Sequence, residues 1–463
     1  MTTTLTATLK CISPIDGSVH AERPVLSHAD AAATVARARR AQTAWAARPL
    51  AERAALVTDG IARLGAMTDA IVPELAWMMG RPVRYGGEFG GVNERATHMA
   101  AIAEAALAPE VVEDSPAALR RITREPHGVV LVIAPWNYPY LTAVNTVVPA
   151  LIAGNAVVLK HATQTLLAGE RMAQAFHAAG VPQDVFANVF LDHATTTRLI
   201  ADRAFGFVNF TGSVAGGRAI ERAAAGTFTA LGLELGGKDP GYVAEDADLD
   251  AAVAGLMDGA MFNAGQCCCG IERIYVHARH YDAFVERAVG WARSELRLGN
   301  PLDLETTLGP MAQRRLADEV RAQVAEAVAD GAHAHLAVAA ADDGGCYLSP
   351  QVLTGVTHDM RLMQQENFGP VVGIMKVADD AEAVALMNDS PYGLTASLWT
   401  TDLERALHIG AGIETGTVFM NRADYLDPAL CWTGCKDTGR GGALSAIGYH
   451  MLTRPKSWHL RRP

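Results

Sequence analysis

The sequence predicts an α/β protein built on parallel sheets, and three observations carry that prediction. Short β-branched runs stand at Val129–Ile133, Ala156–Leu159, Val185–Phe190 and Phe207–Phe210. Helical stretches separate them, such as Thr165–Ala179 and Val214–Ala225. A second alternating region follows Gly237, with a helix near Asp248–Phe262, a strand at Ile274–Val276 and a helix at Tyr281–Leu296. Strands that alternate with helices call for right-handed crossovers, which align the strands in parallel.

The elements follow in order. Ala29–Ala47 is an Ala-rich helical segment, and Leu50–Met79 continues as helices punctuated by Gly60, Gly65 and Pro73. His127–Leu159 holds no Asp, Glu, Lys or Arg and is long enough to span a bilayer. Pro135, Pro139, Pro149, Asn137, Asn145 and Gly154 interrupt it, and lipid would leave the freed backbone groups unsatisfied. A buried strand, loop, helix and strand fit it better. Gly410-Ala411-Gly412 lacks the spacing of a dinucleotide loop and reads as a turn, and Ala337–Gly345 reads as a surface loop.

Bulk properties narrow the function. At roughly 150 residues per domain, 463 residues make about three units. Half of them are hydrophobic, enough for a large core. A formal charge of −11 without long basic runs excludes nucleic acid as the main partner. Seven cysteines in this length are no disulfide framework, and Met1–Lys10 has neither the basic start nor the apolar core of a secretory signal. The expectation is a cytoplasmic protein without a membrane anchor.

The most specific segment is Phe262-Asn263-Ala264-Gly265-Gln266-Cys267-Cys268-Cys269, with Leu233-Glu234-Leu235-Gly236-Gly237-Lys238 upstream of it. Three adjacent cysteines could bind a metal, but no His partner or second Cys pair has matching spacing, so no metal is expected. They could equally be small buried hydrophobes. The flanking Gly-Gln and the distant Glu-Leu-Gly-Gly favour a reactive thiol instead.

These segments resemble the two signatures of the aldehyde dehydrogenase superfamily, and the likeness runs from about Pro14 to Leu460. The resemblance implies that Cys268 is the nucleophile, with Cys267 and Cys269 flanking the substrate, and that Glu234 is the general base. It assigns the oxyanion to Asn137, in Ala134-Pro135-Trp136-Asn137-Tyr138-Pro139, together with the Cys268 backbone N–H. A thiol of pKa near ~8.5 must be partly deprotonated to attack at neutral pH. The resulting alkoxide needs donors, and the thioester left after oxidation needs a base to activate water.

For the cofactor, NAD or NADP, the resemblance points to Phe210-Thr211-Gly212-Ser213-Val214-Ala215-Gly216-Gly217. A strand that passes through glycine into a helix start suits a pyrophosphate. Gly212 and Ser213 would face phosphate, Lys160 the adenosine ribose, and Glu366 and Phe368, with Trp136 and Leu235, the nicotinamide end. Thr163 stands where NAD-selective relatives carry a glutamate, so NADP is expected to be accepted, with Lys160 and His161 as sources of positive charge. Tyr138, Asn145, Phe262, Cys267, Cys269, Tyr425 and Leu426 would wall the substrate, with Arg422 and Asp424 nearby. Succinate-semialdehyde relatives place arginines at Asn145 and Phe262, so a neutral aliphatic or aromatic aldehyde is expected here. Thr146 and Leu444 replace a lysine and an acid linked to proton relay in the family.

The implied architecture is a Rossmann-like cofactor domain (1–107 and 127–235) and a second α/β catalytic domain (236–433). A small β oligomerisation arm joins 108–126 to the tail 434–463, giving a homodimer or homotetramer. Two alternatives stay open: a coenzyme A-acylating enzyme, which typically lacks the glutamate base, and a catalytically idle structural relative.

Overall fold

A computed structural model of the chain describes residues 7–463. Met1–Thr6, part of the segment read as lacking a secretory start, lies outside the described residues. Two parallel sheets dominate, as the alternation requires. The first contains Val129–Ala134, Ala156–His161, Phe186–Asn188, Phe207–Thr211 and Ala230–Glu234. Numbered by sequence, these strands run 3-2-1-4-5 across the sheet. This doubly wound order reverses between Val129–Ala134 and Phe207–Thr211, and ligands of such sheets bind outside the strand C-termini at that point. Gly439–Arg440, from the tail, adds an antiparallel edge in which Gly439 faces Glu234.

The uncharged stretch resolves as expected. The strand Val129–Ala134, the helix Pro139–Ile152 and the strand Ala156–His161 are almost wholly buried. A charge within these elements would be desolvated unless a partner met it. Among the described residues no helix is long and apolar enough to cross a membrane.

Around this sheet pack His28–Ala46, Leu50–Gly65, Thr68–Met79 and Phe89–Leu107. Gly60 and Pro73 sit inside helices and do not end them; a glycine costs only about 1 kcal/mol there, less than the packing returns. Gly410 and Ala411 close the helix Leu403–Ala411, with Gly412 as its cap, which corrects the simple turn expected.

The second sheet has seven strands. Its centre is Asp239–Val243 and Ile271–His277, flanked by Val371–Val377 and Gln351–Thr354 on one side and Thr395–Trp399 and Thr417–Met420 on the other. All these pair in parallel; only the short His333–Ala334 edge is antiparallel. A separate three-stranded antiparallel sheet joins Glu110–Asp114, Ala118–Pro126 and Thr453–Arg461.

Candidate active site

The switch point of the first sheet gathers the residues expected around the cofactor. Ile133 pairs with Lys160 on one side and Phe210 on the other. Trp136-Asn137 and Gly212-Ser213 therefore leave neighbouring strand ends together. Ser213 is exposed and caps the helix Val214–Ala224, its Oγ accepting from the Gly216 N–H at 3.2 Å. Those helix-start N–H groups suit phosphate. Lys160 is buried at its strand end, has no ion-pair partner among the described residues, and burial lowers its pKa. Such a cation fits a polyhydroxyl or phosphate ligand. Thr163 begins the adjoining 3-10 turn, half-buried. His161 adds no charge: burial lowers its pKa to about 4, and its ring meets the Pro139 carbonyl and the Thr165 hydroxyl, each at 3.0 Å.

The thiol loop follows the helix Leu249–Met261. Asn263, Ala264 and Gly265 all have positive φ (55°, 56° and 69°). Such a run costs free energy and persists only when its surroundings dictate it. The surroundings are visible. At Gly265 a Cβ would strike the Gly369 carbonyl, so only glycine fits. Gln266 is buried; its Nε2 donates to the Asn263 carbonyl at 3.0 Å and its Oε1 accepts from the Ala312 N–H at 2.8 Å. The Asn137 side chain donates to the Gln266 carbonyl at 3.2 Å.

Cys268 is half-buried, between two buried cysteines. Hydrogen bonds from Cys267 and then Cys269 lower its pKa to about 6, while Cys267 is pushed up to about 12. The flanking thiols reach Asp424 Oδ1 at 3.4 and 3.0 Å. Burial, with Cys267 beside it, pushes the Asp424 carboxyl well above the carboxylate range. The loop thus lowers the Cys268 pKa and raises those of its two neighbours.

Glu234 ends its strand beside Thr211, whose hydroxyl donates to it at 3.3 Å, and burial raises its pKa to about 7. Glu366 accepts from the Gly237 N–H at 3.1 Å and is raised to about 8, again mainly by burial. A Cβ at Gly237 would collide with the Cys268 carbonyl, which explains why the Glu-Leu-Gly-Gly motif ends in glycine. Trp136 and Phe368 meet edge to face, 5.6 Å between centroids.

One cavity of about 340 Å³ contains both Cys268 and Glu234 in its wall. Tyr138, Asn145, Phe262, Cys267, Cys269, Tyr425 and Leu426 all line it, as do Leu235 and Asp424. Lys160, Thr163, Ser213, Glu366 and Phe368 stand outside this lining, on the strand-end side. Arg422 does not enter it either: it is exposed, with its guanidinium 3.6 Å from the Tyr425 ring centroid. Thr146 lies behind, where a pocket of about 10 Å³, the size of one water, also touches Glu234. Leu444 is fully buried and apolar.

Sequence reasoning missed the residues that brace the site. Arg81 and Glu88 form a buried ion pair at 2.6 Å. Arg81 also donates to the Asn137 carbonyl at 2.6 Å, and Glu88 accepts the N–H groups of Tyr140 and Leu141 at 2.9 and 2.6 Å, capping the helix that starts at Pro139. Lys238 and Glu272 make a second buried pair at 2.8 Å, and Glu272 holds the N–H groups of Asn367 and Phe368 at 2.7 and 2.8 Å. Arg95, in the cavity wall, was also missed.

Comparison with known proteins agrees with this geometry. Residues 2–458 match the model of the aldehyde dehydrogenase family. A succinate-semialdehyde dehydrogenase [NADP(+)] of Deinococcus radiodurans is 34% identical over 96% of this chain and 93% of its own length. A 3,6-anhydro-alpha-L-galactose dehydrogenase of Streptomyces coelicolor is 34% identical over 98% of this chain and 93% of its own length. A solved NAD-dependent aldehyde dehydrogenase from Sinorhizobium meliloti superposes with a TM-score of 0.93 at 33% identity, covering 99% of this chain and 92% of that one.

Proposed function

The chain belongs to the aldehyde dehydrogenase family and is an NAD(P)-dependent oxidoreductase, and from that premise we propose that Cys268 attacks the aldehyde and Glu234 directs water to the resulting thioester. One observation supports this most: a thiol lowered to about 6 and a carboxyl raised to about 7 face the same cavity. The first is largely thiolate at pH 7; the second is poised to take a proton there.

In this reading the Cys268 thiolate adds to the carbonyl carbon. Asn137 spends one amide N–H on Gln266 and has a second for the oxyanion, with the Cys268 N–H beside it. When bound, the nicotinamide supplies the acceptor for the hydride. The loops of Gly237 and Phe368 hold Glu366 and the Trp136–Phe368 ring pair where that end of the cofactor would lie. Gly212, Ser213, Lys160 and Thr163 would take its phosphate and ribose groups, and Leu235, in the cavity wall, would meet its nicotinamide end. Glu234 then draws the proton from water as thioester carbon gains oxygen and Cys268 departs as thiolate. The apolar walls, Leu141, Phe262, Leu394, Leu426 and Trp432, suit a carbon chain.

The assembly reading has its own support. The arm edge Glu110–Asp114 exposes Val111 and Val112 (58% and 56%), an edge that invites pairing. We assign 1–107 and 127–235 to cofactor binding, 236–433 to catalysis, and 108–126 with 434–463 to a dimer or tetramer contact. All seven cysteines are free, which suits the reducing cytoplasm. The test is absorbance at 340 nm with an aldehyde panel and both cofactors, product identified with and without coenzyme A. Free acid is expected; a coenzyme A thioester, or no reduction with any aldehyde, would refute the reading.

A further inference from the structure

The cavity wall carries a cation that has no counter-ion among the described residues. Arg95 lies in the helix Phe89–Leu107 and is 8% exposed. Its Nη1 donates to the Leu141 carbonyl at 2.8 Å and to Asn145 Oδ1 at 3.0 Å. Neither acceptor is charged, and no carboxylate pairs with Arg95 among the described residues. The carboxyl groups around it are otherwise engaged. Glu88 is held by Arg81 and by two backbone N–H groups. Asp424 Oδ1 lies against the Cys267 and Cys269 thiols, at 3.4 and 3.0 Å. Glu94, at the cavity edge, accepts from the Tyr425 hydroxyl at 2.5 Å. Glu234 is the base of the reaction proposed above.

A guanidinium taken out of water costs several kcal/mol unless an anion meets it. Burial indeed lowers the Arg95 pKa. Two further polar atoms in the same wall lack partners. The Tyr138 hydroxyl and Asn145 Nδ2 are buried and unbonded, and both residues line the cavity. Most buried polar groups in folded proteins are hydrogen-bonded, so two unbonded donors beside an unpaired cation around one cavity describe the ligand it takes. They ask for an oxyanion.

We propose that Arg95, aided by Asn145 and Tyr138, receives a carboxylate at the far end of the substrate, so that the preferred substrates are short ω-oxo acids with the aldehyde turned to Cys268. This inference rests on Cys268 being the nucleophile of this cavity. It replaces the neutral aldehyde expected from Asn145 and Phe262: the cation comes from the preceding helix instead of those two positions. The cavity, about 340 Å³, is near the lower end of the ~300–1,000 Å³ usual for small-molecule sites, which favours a short chain.

The test compares succinate semialdehyde with butanal, chains of equal length, in wild type, Arg95→Met and Arg95→Lys. Wild type should prefer the acid. Arg95→Met should lose about 10- to 100-fold in kcat/KM for the acid, chiefly through KM, and stay within about threefold for butanal. Arg95→Lys, which keeps the charge, should keep most of the preference. Equal losses on both substrates, a butanal pH profile displaced by Arg95→Met, or a wild type that prefers butanal would overturn the proposal. A second measurement is independent of turnover. Succinate should slow iodoacetamide alkylation of Cys268 in wild type but not in Arg95→Met, and equal protection in both would count against Arg95. If wild type oxidises neither aldehyde, the proposed reaction is wrong, and the alkylation result alone decides for Arg95.

Discussion

The side-chain amide of Asn137 donates to the Gln266 carbonyl across 3.2 Å, tying the loop after the first central strand to the residue two before Cys268. The bond uses one amide N–H and leaves the other for the oxyanion of the proposed reaction. Asn137→Asp removes both N–H donors and sets an anion where negative charge must develop. We expect kcat to fall by about 10²–10³ or more, while cofactor affinity by fluorescence titration changes little. A kcat within fivefold of wild type would show that another donor serves the oxyanion.

Cys268→Ala should abolish oxidation and leave cofactor binding intact, whereas Cys267→Ala and Cys269→Ala should turn over at pH 8. The flanking thiols nevertheless set the working range. They hold Cys268 near 6, so removing one raises the Cys268 pKa and moves the acid limb of kcat/KM to higher pH. An unmoved limb in both flanking variants would show that the thiolate is stabilised from elsewhere.

Glu234→Gln should give a burst of reduced cofactor followed by slow turnover, because acyl-enzyme accumulates once the base is gone. Stability gives a second readout. The folded carboxyl titrates at about 7 instead of 4.5, so its favourable neutral form is present at low pH and lost as pH rises through 7. Glu234→Gln, always neutral, should therefore match wild type near pH 5 and exceed its Tm at pH 8. The absence of a burst would move Glu234 to thiol activation, and a Tm difference independent of pH would contradict the raised value.

Thr163→Glu should weaken NADP far more than NAD, since a carboxylate beside Lys160 both neutralises it and repels a 2′-phosphate. With His161 neutral and turned to the Pro139 carbonyl, Lys160 is the charge at that turn. Initial rates with each cofactor check this. No measurable NADP turnover in wild type would show that the turn excludes phosphate.

What could be read before the fold was known was what lies close in sequence. The central strands follow from the runs around Val130, Val157 and Val208, and the thiol loop from Gly265-Gln266 beside Cys268. The resemblance supplied partners that no spacing could, Glu234 and Glu366 among them. The bracing stayed hidden because it depends on charges from unrelated segments. Nothing around Arg81 or Glu88 says that they will meet beneath Asn137, and Lys238 was read only as the end of a glycine motif. Arg95 shows the limit most clearly. A single arginine in an Ala-rich helix reads as solvated, and only the packing of that helix against Asn145 turns it inward.

The antiparallel edge contributed by Gly439–Arg440 gives the tail a part in chemistry from which it is remote in sequence. Glu234 is the last residue of its strand, and the neighbour beyond it is Gly439. The same stretch of chain then continues into Thr453–Arg461, the strand that pairs with Ala118–Pro126. A polypeptide truncated by proteolysis or interrupted synthesis before Gly439 keeps its thiol and the pairing of Glu234 with Thr211, but loses the strand on the other side of Glu234.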